Sequence, residues 1–207
     1  MRATILVPCL LSLLSTPALA GKPVTQADLL RRLIDLDQLL VPPPPGEQTG
    51  LFSSFDRRQL TIRDGRYAHW DANNDRGHFL RTTPDGWNMM AEIDSPGAIT
   101  RVWCDKPTGN VRILLDGKTV IDAPFADLFN GALEPFGLPL SYEIPPGTAG
   151  VSYFPIGFAK SCRVLSREFE GEYQIDYVAF PPETVVETFE PELSAEARAA
   201  LAAARRL

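Results

Sequence analysis

Val111-Arg112-Ile113-Leu114-Leu115-Asp116-Gly117-Lys118-Thr119-Val120-Ile121 decides the fold class. Two short apolar runs flank Asp116-Gly117, the dipeptide that most readily accepts the positive φ angles of a tight two-residue hairpin turn. Further strand-turn units lie on either side. Arg58 to Arg63 and Arg66 to Trp70 flank a second Asp-Gly pair, Asp64-Gly65. Trp87 to Asp94, Ala98 to Cys104, Val151 to Phe158 and Cys162 to Arg167 follow the same short-strand pattern. Glu172 to Phe180 alternates polar and apolar residues, which places Tyr173, Ile175, Tyr177 and Ala179 on one face. Many short strands separated by turns, with almost no helix among them, predict a mainly β fold, a jelly-roll or β-sandwich.

Helices are expected only at the two ends. Thr25 to Leu40 carries a capping threonine, Asp28 three residues later, and a stripe of Leu29, Leu33, Leu36 and Leu40. Pro42 to Pro45 ends it, because four prolines favour an extended segment. Ser194 to Leu207 is Ala-rich, opens on a capping serine and closes on Arg205-Arg206, as a connector or docking helix does. Ahead of all this, Met1-Arg2, the apolar run Ile5 to Leu14 and Ala18-Leu19-Ala20 have the three parts of a cleavable signal peptide. The expected organisation is a signal peptide over 1–20, a helix and proline-rich linker over 21–45, a jelly-roll over 46–190 and a connector helix over 191–207. Secretion or a periplasmic location follows from that reading, with no membrane attachment after cleavage. Cys104 and Cys162 would then lie in an oxidising compartment, either as one disulfide or as two buried free thiols.

Composition narrows the chemistry. The chain has 20 Lys+Arg against 26 Asp+Glu and no basic cluster of the kind nucleic acid requires. Its two histidines, His69 and His78, cannot supply a three-histidine zinc site, and no His-Glu-x-x-His helix is present. Gly-x-Ser-x-Gly, a phosphate-binding glycine loop and Cys-x-x-Cys are also missing, so nothing calls for a metal or cofactor. Carboxylate, amide and aromatic side chains remain plentiful, the chemistry of carbohydrate recognition and glycoside cleavage. Trp103, inside an apolar strand, is expected in the core. Trp70 and Trp87 border a polar loop and a turn, where either an edge-packing role or a sugar platform fits.

Two polar clusters stand out, Ser53-Ser54-Phe55-Asp56-Arg57 and Asp71-Ala72-Asn73-Asn74-Asp75-Arg76. They can present donors and acceptors to sugar hydroxyls, with Ser54, Asp56, Arg57, Asn74 and Asp75 as candidate substrate contacts. The other reading is structural: Asp56 pairs with an arginine and pins the linker, and Asn-Asn-Asp is a turn. Residue chemistry alone favours the second.

These clusters belong to a longer ordered set. Asn74-Asp75 is followed by Ser95-Pro96-Gly97-Ala98-Ile99-Thr100-Arg101-Val102-Trp103, Val111 to Gly117 and Pro124-Phe125-Ala126-Asp127-Leu128-Phe129-Asn130-Gly131. Tyr153-Phe154-Pro155-Ile156, Lys160-Ser161-Cys162 and Tyr173-Gln174-Ile175-Asp176-Tyr177 complete it. In this order the set resembles the family first catalogued as domain of unknown function 2961, now glycoside hydrolase family 172. The resemblance implies a jelly-roll fold and action on fructofuranosides, including difructose dianhydride, or on D-arabinofuranosides. It also implies a carbohydrate ligand, tandem barrels of which this chain resembles the N-terminal half, and assembly as a trimer or higher homo-oligomer. The family's retaining mechanism uses two glutamates, one in a Gly-Thr-Gly-Thr-Glu-Asp-Tyr-Phe-like motif. That motif is not in this sequence, so no catalytic residue carries over.

Among the chain's own carboxylates, Glu92 with Asp94 and Glu172 with Asp176 share strand faces, and Asp116 sits in a turn. A retaining pair needs two of them about 5 Å apart across the scissile bond.

Overall fold

The computed structural model describes residues 22–206, so the expected signal peptide lies outside the described residues. In chain order the elements are α1 (Gln26–Arg32), β1 (Gln48–Ser53), β2 (Ile62–Arg63), β3 (Arg66–Tyr67), β4 (Arg81–Thr82), β5 (Asn88–Ile93) and β6 (Gly97–Asp105). They continue with β7 (Asn110–Leu115), β8 (Lys118–Pro124), β9 (Ser141–Glu143), β10 (Ala149–Ser152), β11 (Ile156–Phe158), β12 (Cys162–Arg167), β13 (Tyr173–Ala179) and α2 (Ala195–Ala204).

Two antiparallel sheets form a β-sandwich. One has the order β1-β13-β6-β10-β9, with β11 also on β6, and the other has the order β4-β5-β12-β7-β8. Their inner faces share one apolar cluster. Met90, Ile93, Val111, Ile113 and Val164 come from the second sheet and meet Ile99, Val102, Tyr173 and Ile175 from the first. Both Asp-Gly pairs form the expected turns: φ is +50° and +73° at Asp64-Gly65, and +52° and +81° at Asp116-Gly117. Glu172 to Phe180 contains β13, with Tyr173 and Ile175 fully in the core and Tyr177 packed against its edge.

The first hairpin is strand only at Ile62–Arg63 and Arg66–Tyr67, with a 3-10 turn over Arg57–Leu60 in place of the expected strand, and three further local expectations are corrected. The first helix stops at Arg32 and resumes only as a 3-10 turn over Leu36–Leu40. Its capping box forms, with Thr25 and Asp28 each accepting the other's backbone N–H at 3.1 Å. Leu29 and Leu30 are buried, but Leu36 and Leu40 are exposed. A short helix is stabilised by packing its apolar stripe, and beyond Leu33 the stripe meets no surface. The second correction is that Val151 to Phe158 is two strands, β10 and β11, because Tyr153-Phe154-Pro155 interrupts the ladder. The third is that Trp103 is half-buried outside the core. A bulge leaves Thr100 without a partner on β13, Val102 and Cys104 face inward, and the strand period of two turns Trp103 outward.

At the other end, Ser194 caps α2 by accepting the Ala197 N–H at 3.1 Å. Ala197, Ala200 and Leu201 enter the main core, so this helix is docked on the sandwich. Cys104 and Cys162 are free, buried thiols. Burial pushes the Cys162 thiol up to about 12 and the Cys104 thiol higher still. Among the described residues no helix is long and apolar enough to cross a membrane.

Candidate functional site

The β1 strand runs antiparallel to β13 and ends at Ser53, opposite Gln174. There the chain leaves the sheet and meets the Asn/Asp-rich loop. Ser54 is buried and reads the β13 backbone twice: its N–H donates to the Tyr173 carbonyl at 3.2 Å, and its hydroxyl accepts the Tyr173 N–H at 2.9 Å. Two residues on, the Asp56 N–H donates to Asp75 Oδ1 at 2.7 Å, while the Asp56 carboxylate accepts the Asn74 N–H at 3.3 Å. Asp56 is 0 % exposed. Such a charge needs dedicated partners. They come from Arg58, whose backbone N–H donates at 3.1 Å and whose Nε donates to both carboxylate oxygens at 3.0 and 2.9 Å. Those hydrogen bonds, with Arg58's side chain first among them, hold the Asp56 carboxyl well below the usual carboxylate range.

A second tier fastens the same loop to the core. His78 Nε2 lies 2.8 Å from the Asn74 carbonyl, which only accepts, so Nε2 carries the proton. The buried Tyr173 hydroxyl shares its one proton between the carbonyl oxygens of His78 and Met90, both at 3.2 Å, and burial pushes its pKa up to about 12. Arg76 extends from the loop to Asp105 and, at 3.7 Å, to Glu172. Asp105 also accepts the Glu172 N–H at 2.6 Å. Gly171 permits that approach, since a Cβ there would sit 2.3 Å from Asp105 Oδ1.

Beside this bracket opens a groove of about 590 Å³. Arg76, Lys106 and Asn88 offer donors along it, Thr108 and Glu170 offer acceptors, and Phe79 supplies an apolar ring. Its size falls in the range of small-molecule clefts. Lys106 holds φ at +43°, a left-handed conformation that costs a non-glycine residue roughly 1–2 kcal/mol. Such strain concentrates where a side chain must be aimed.

The five candidate contacts are therefore brought together, but as one knot. Ser54 and Asp56 are buried, Arg57 and Asp75 are half-buried, and Asn74 alone is exposed. Arg57 lies over the Phe55 ring at 5.2 Å, and Arg58, outside the candidate set, is the partner of Asp56. Lys106, Thr108 and Glu170 come from segments that carry no motif, and only the three-dimensional structure assembles them.

The remaining candidates divide the same way. Trp87 is 3 % exposed with the guanidinium groups of Arg112 and Arg167 over its ring at 4.1 and 4.6 Å, so it offers no open face, whereas Trp70 is 77 % exposed. Glu92 and Asp94 are both held by Arg163, at 2.8 and 2.6 Å, and Asp176 by Arg101 at 3.0 Å. Asp116 accepts the N–H groups of Ala159, Lys160 and Ser161 at 3.2, 2.6 and 2.9 Å, and the Thr188 hydroxyl. Among the described residues no group of three or more His, Cys, Asp or Glu could hold a metal.

No curated protein matches the chain. A family model does match it, that of the GH172 first beta-sandwich domain, over residues 45–197. The match spans β1 through β13 and reaches the first turn of α2, and it covers the bracket and the groove together. The order of motifs, the two-sheet sandwich and this match agree, and the chain belongs to glycoside hydrolase family 172 as its first β-sandwich domain.

Proposed function

We propose that this chain is the carbohydrate-directed first sandwich of an exported family 172 glycoside hydrolase, that its groove binds furanose-containing glycans, and that it does not cleave them by itself. The observation that carries the reading is the groove walled by the loop that the bracket fixes, inside the segment that matches the family. Export is supported by the signal-peptide pattern of residues 1–20. Fructofuranose and D-arabinofuranose are the sugars the family resemblance implies.

The absence of catalysis rests on the missing glutamate-bearing family motif and on how the chain's own carboxylates are held. A glycosidase acid needs a raised pKa. Asp28, Asp56, Asp85, Glu92 and Asp116 are shifted the opposite way, downward. Glu92, Asp94, Asp116, Glu172 and Asp176 are each occupied by arginines, backbone amides or a hydroxyl.

Calorimetric titration with fructofuranose and D-arabinofuranose oligosaccharides tests the reading. Saturable binding is expected, weakened about tenfold or more (about 1.4 kcal/mol) when Lys106→Ala and Asn88→Ala are combined. No free monosaccharide should accumulate. Binding that the double variant leaves unchanged would remove the groove from the account. Sugar release abolished by Glu170→Gln or Glu172→Gln would instead make the chain an enzyme in its own right.

A further inference from the structure

The start of α1 leaves a buried acceptor unused. Gln26, the first residue of the helix, is 3 % exposed, so its amide lies inside the protein. Nε2 donates to the Pro155 carbonyl at 2.7 Å, and because a carbonyl only accepts, this bond fixes which end of the amide is oxygen. Oε1 at the other end has no hydrogen-bond partner, one of two such buried side-chain atoms among the described residues. Buried acceptors are paired as a rule, and an unpaired one costs free energy that an incoming donor recovers. The Gln26 backbone is satisfied by contrast, its N–H donating to Glu187 at 2.9 Å.

Gln26 lines a hollow of about 520 Å³ formed with residues 187–194 and the first turn of α2. That volume suits a small molecule. Phe189, Leu193 and Ala197, all buried, give it an apolar wall. Its charged wall is acidic, with the carboxylates of Glu187, Glu190 and Glu192. Of the glutamates between positions 187 and 196, only Glu196 is in an ion pair among the described residues, with Arg31 at 2.7 Å. Arg198 is the one cation lining the hollow, and its Nη1 is turned to the Leu193 carbonyl at 2.6 Å. The first turn of α2 does not reverse this balance. Ser194 takes the Ala197 N–H on its hydroxyl at 3.1 Å and the Arg198 N–H on its carbonyl at 2.9 Å.

We propose that this hollow is a second ligand site, which takes a small molecule bearing a primary ammonium group. An ammonium has three donors and no acceptor, the complement of an unpaired amide oxygen set among unpaired carboxylates. One N–H goes to Gln26 Oε1 and the others to Glu190 and Glu192, while the ligand's carbon frame rests on Phe189 and Leu193. A neutral polyol also carries donors, but it gains nothing from three negative charges against one positive. An amino sugar and an aliphatic polyamine share the required chemistry. The site shares no lining residue with the sugar groove and stands on separate observations.

Calorimetric titration of the intact chain with glucosamine and with putrescine, against N-acetylglucosamine, tests this. Saturable binding of an ammonium ligand is expected, weakened by added salt because exposed charges are screened. N-acetylglucosamine keeps the ring and loses the ammonium, and should bind at least about tenfold more weakly than glucosamine. Tighter binding of glucosamine than of putrescine makes the ligand an amino sugar, and the reverse order makes it a polyamine. Gln26→Leu should lower affinity about tenfold or more, but it also strips the Pro155 carbonyl of its donor. The double variant Glu190→Gln/Glu192→Gln, at two exposed side chains, should lower affinity as much with unchanged circular dichroism. The proposal is overturned if neither ammonium ligand binds, if glucosamine and N-acetylglucosamine bind alike, or if the double variant binds as the wild type does.

Discussion

The bracket and the two-stranded arm it supports, β2–β3 between Arg57 and Trp70, which pairs with neither main sheet, invert the usual arrangement within about twenty residues. In the bracket, polar groups are inside: Ser54 and Asp56 are buried, and the Asp56 carboxylate is satisfied by Arg58 and by the backbone of Asn74. In the arm, apolar groups are outside, with Leu60, Ile62, Tyr67 and Trp70 in solvent. The two depend on each other. A hairpin that shows its apolar face to water cannot be held by a hydrophobic core, so it is held by hydrogen bonds and one ion pair at its base. Buried polar networks specify a single geometry when fully satisfied, and they fail sharply when one member is lost.

That difference predicts the ranking of substitutions. Asp56→Ala should have the largest effect, leaving the Asn74 and Arg58 amides without an acceptor and Arg58 without its partner. Thermal unfolding should fall by roughly 5 °C, as expected when two backbone amides lose a buried carboxylate acceptor in a chain of this size. An unchanged midpoint would show that the bracket is ornamental.

Acid should act in the same direction. Because the Asp56, Glu92 and Asp116 carboxyls titrate lower in the folded chain than in the unfolded one, their stabilisation is complete above about pH 5 and is lost as pH falls through the folded values. The wild-type midpoint should therefore drop steadily from pH 5 to pH 3. Asp56→Asn should show a shallower acid limb, and an identical slope would remove Asp56 from it. The smallest effect belongs to the arm. Trp70→Ser, a change at an exposed side chain, should move the midpoint by less than about 2 °C, the range of ordinary surface changes.

Much of the sandwich was legible in the residues. The two Asp-Gly turns, the strand over Cys162 to Arg167 and the alternation of Glu172 to Phe180 depend on local chemistry, and the structure keeps them. What failed was tertiary. Nothing local says that the stripe beyond Leu33 has no surface to meet, or that a bulge near Thr100 accompanies an outward Trp103. The contact between the two polar clusters was not legible, but the structural alternative for Asp56, pairing with an arginine, describes the bracket, with Arg58 as the arginine. The groove was not legible, because Lys106, Thr108 and Glu170 are ordinary surface residues until the ends of β6 and β12 bring them together.

Amide hydrogen exchange on the intact chain, wild type against Asp56→Asn, tests most directly whether the bracket holds the arm. The account predicts that protection at Gln59, Thr61 and Ala68, whose N–H groups close the base of the arm, collapses in the variant while β6 and β13 exchange as before. Equal protection of the arm in both chains would contradict it.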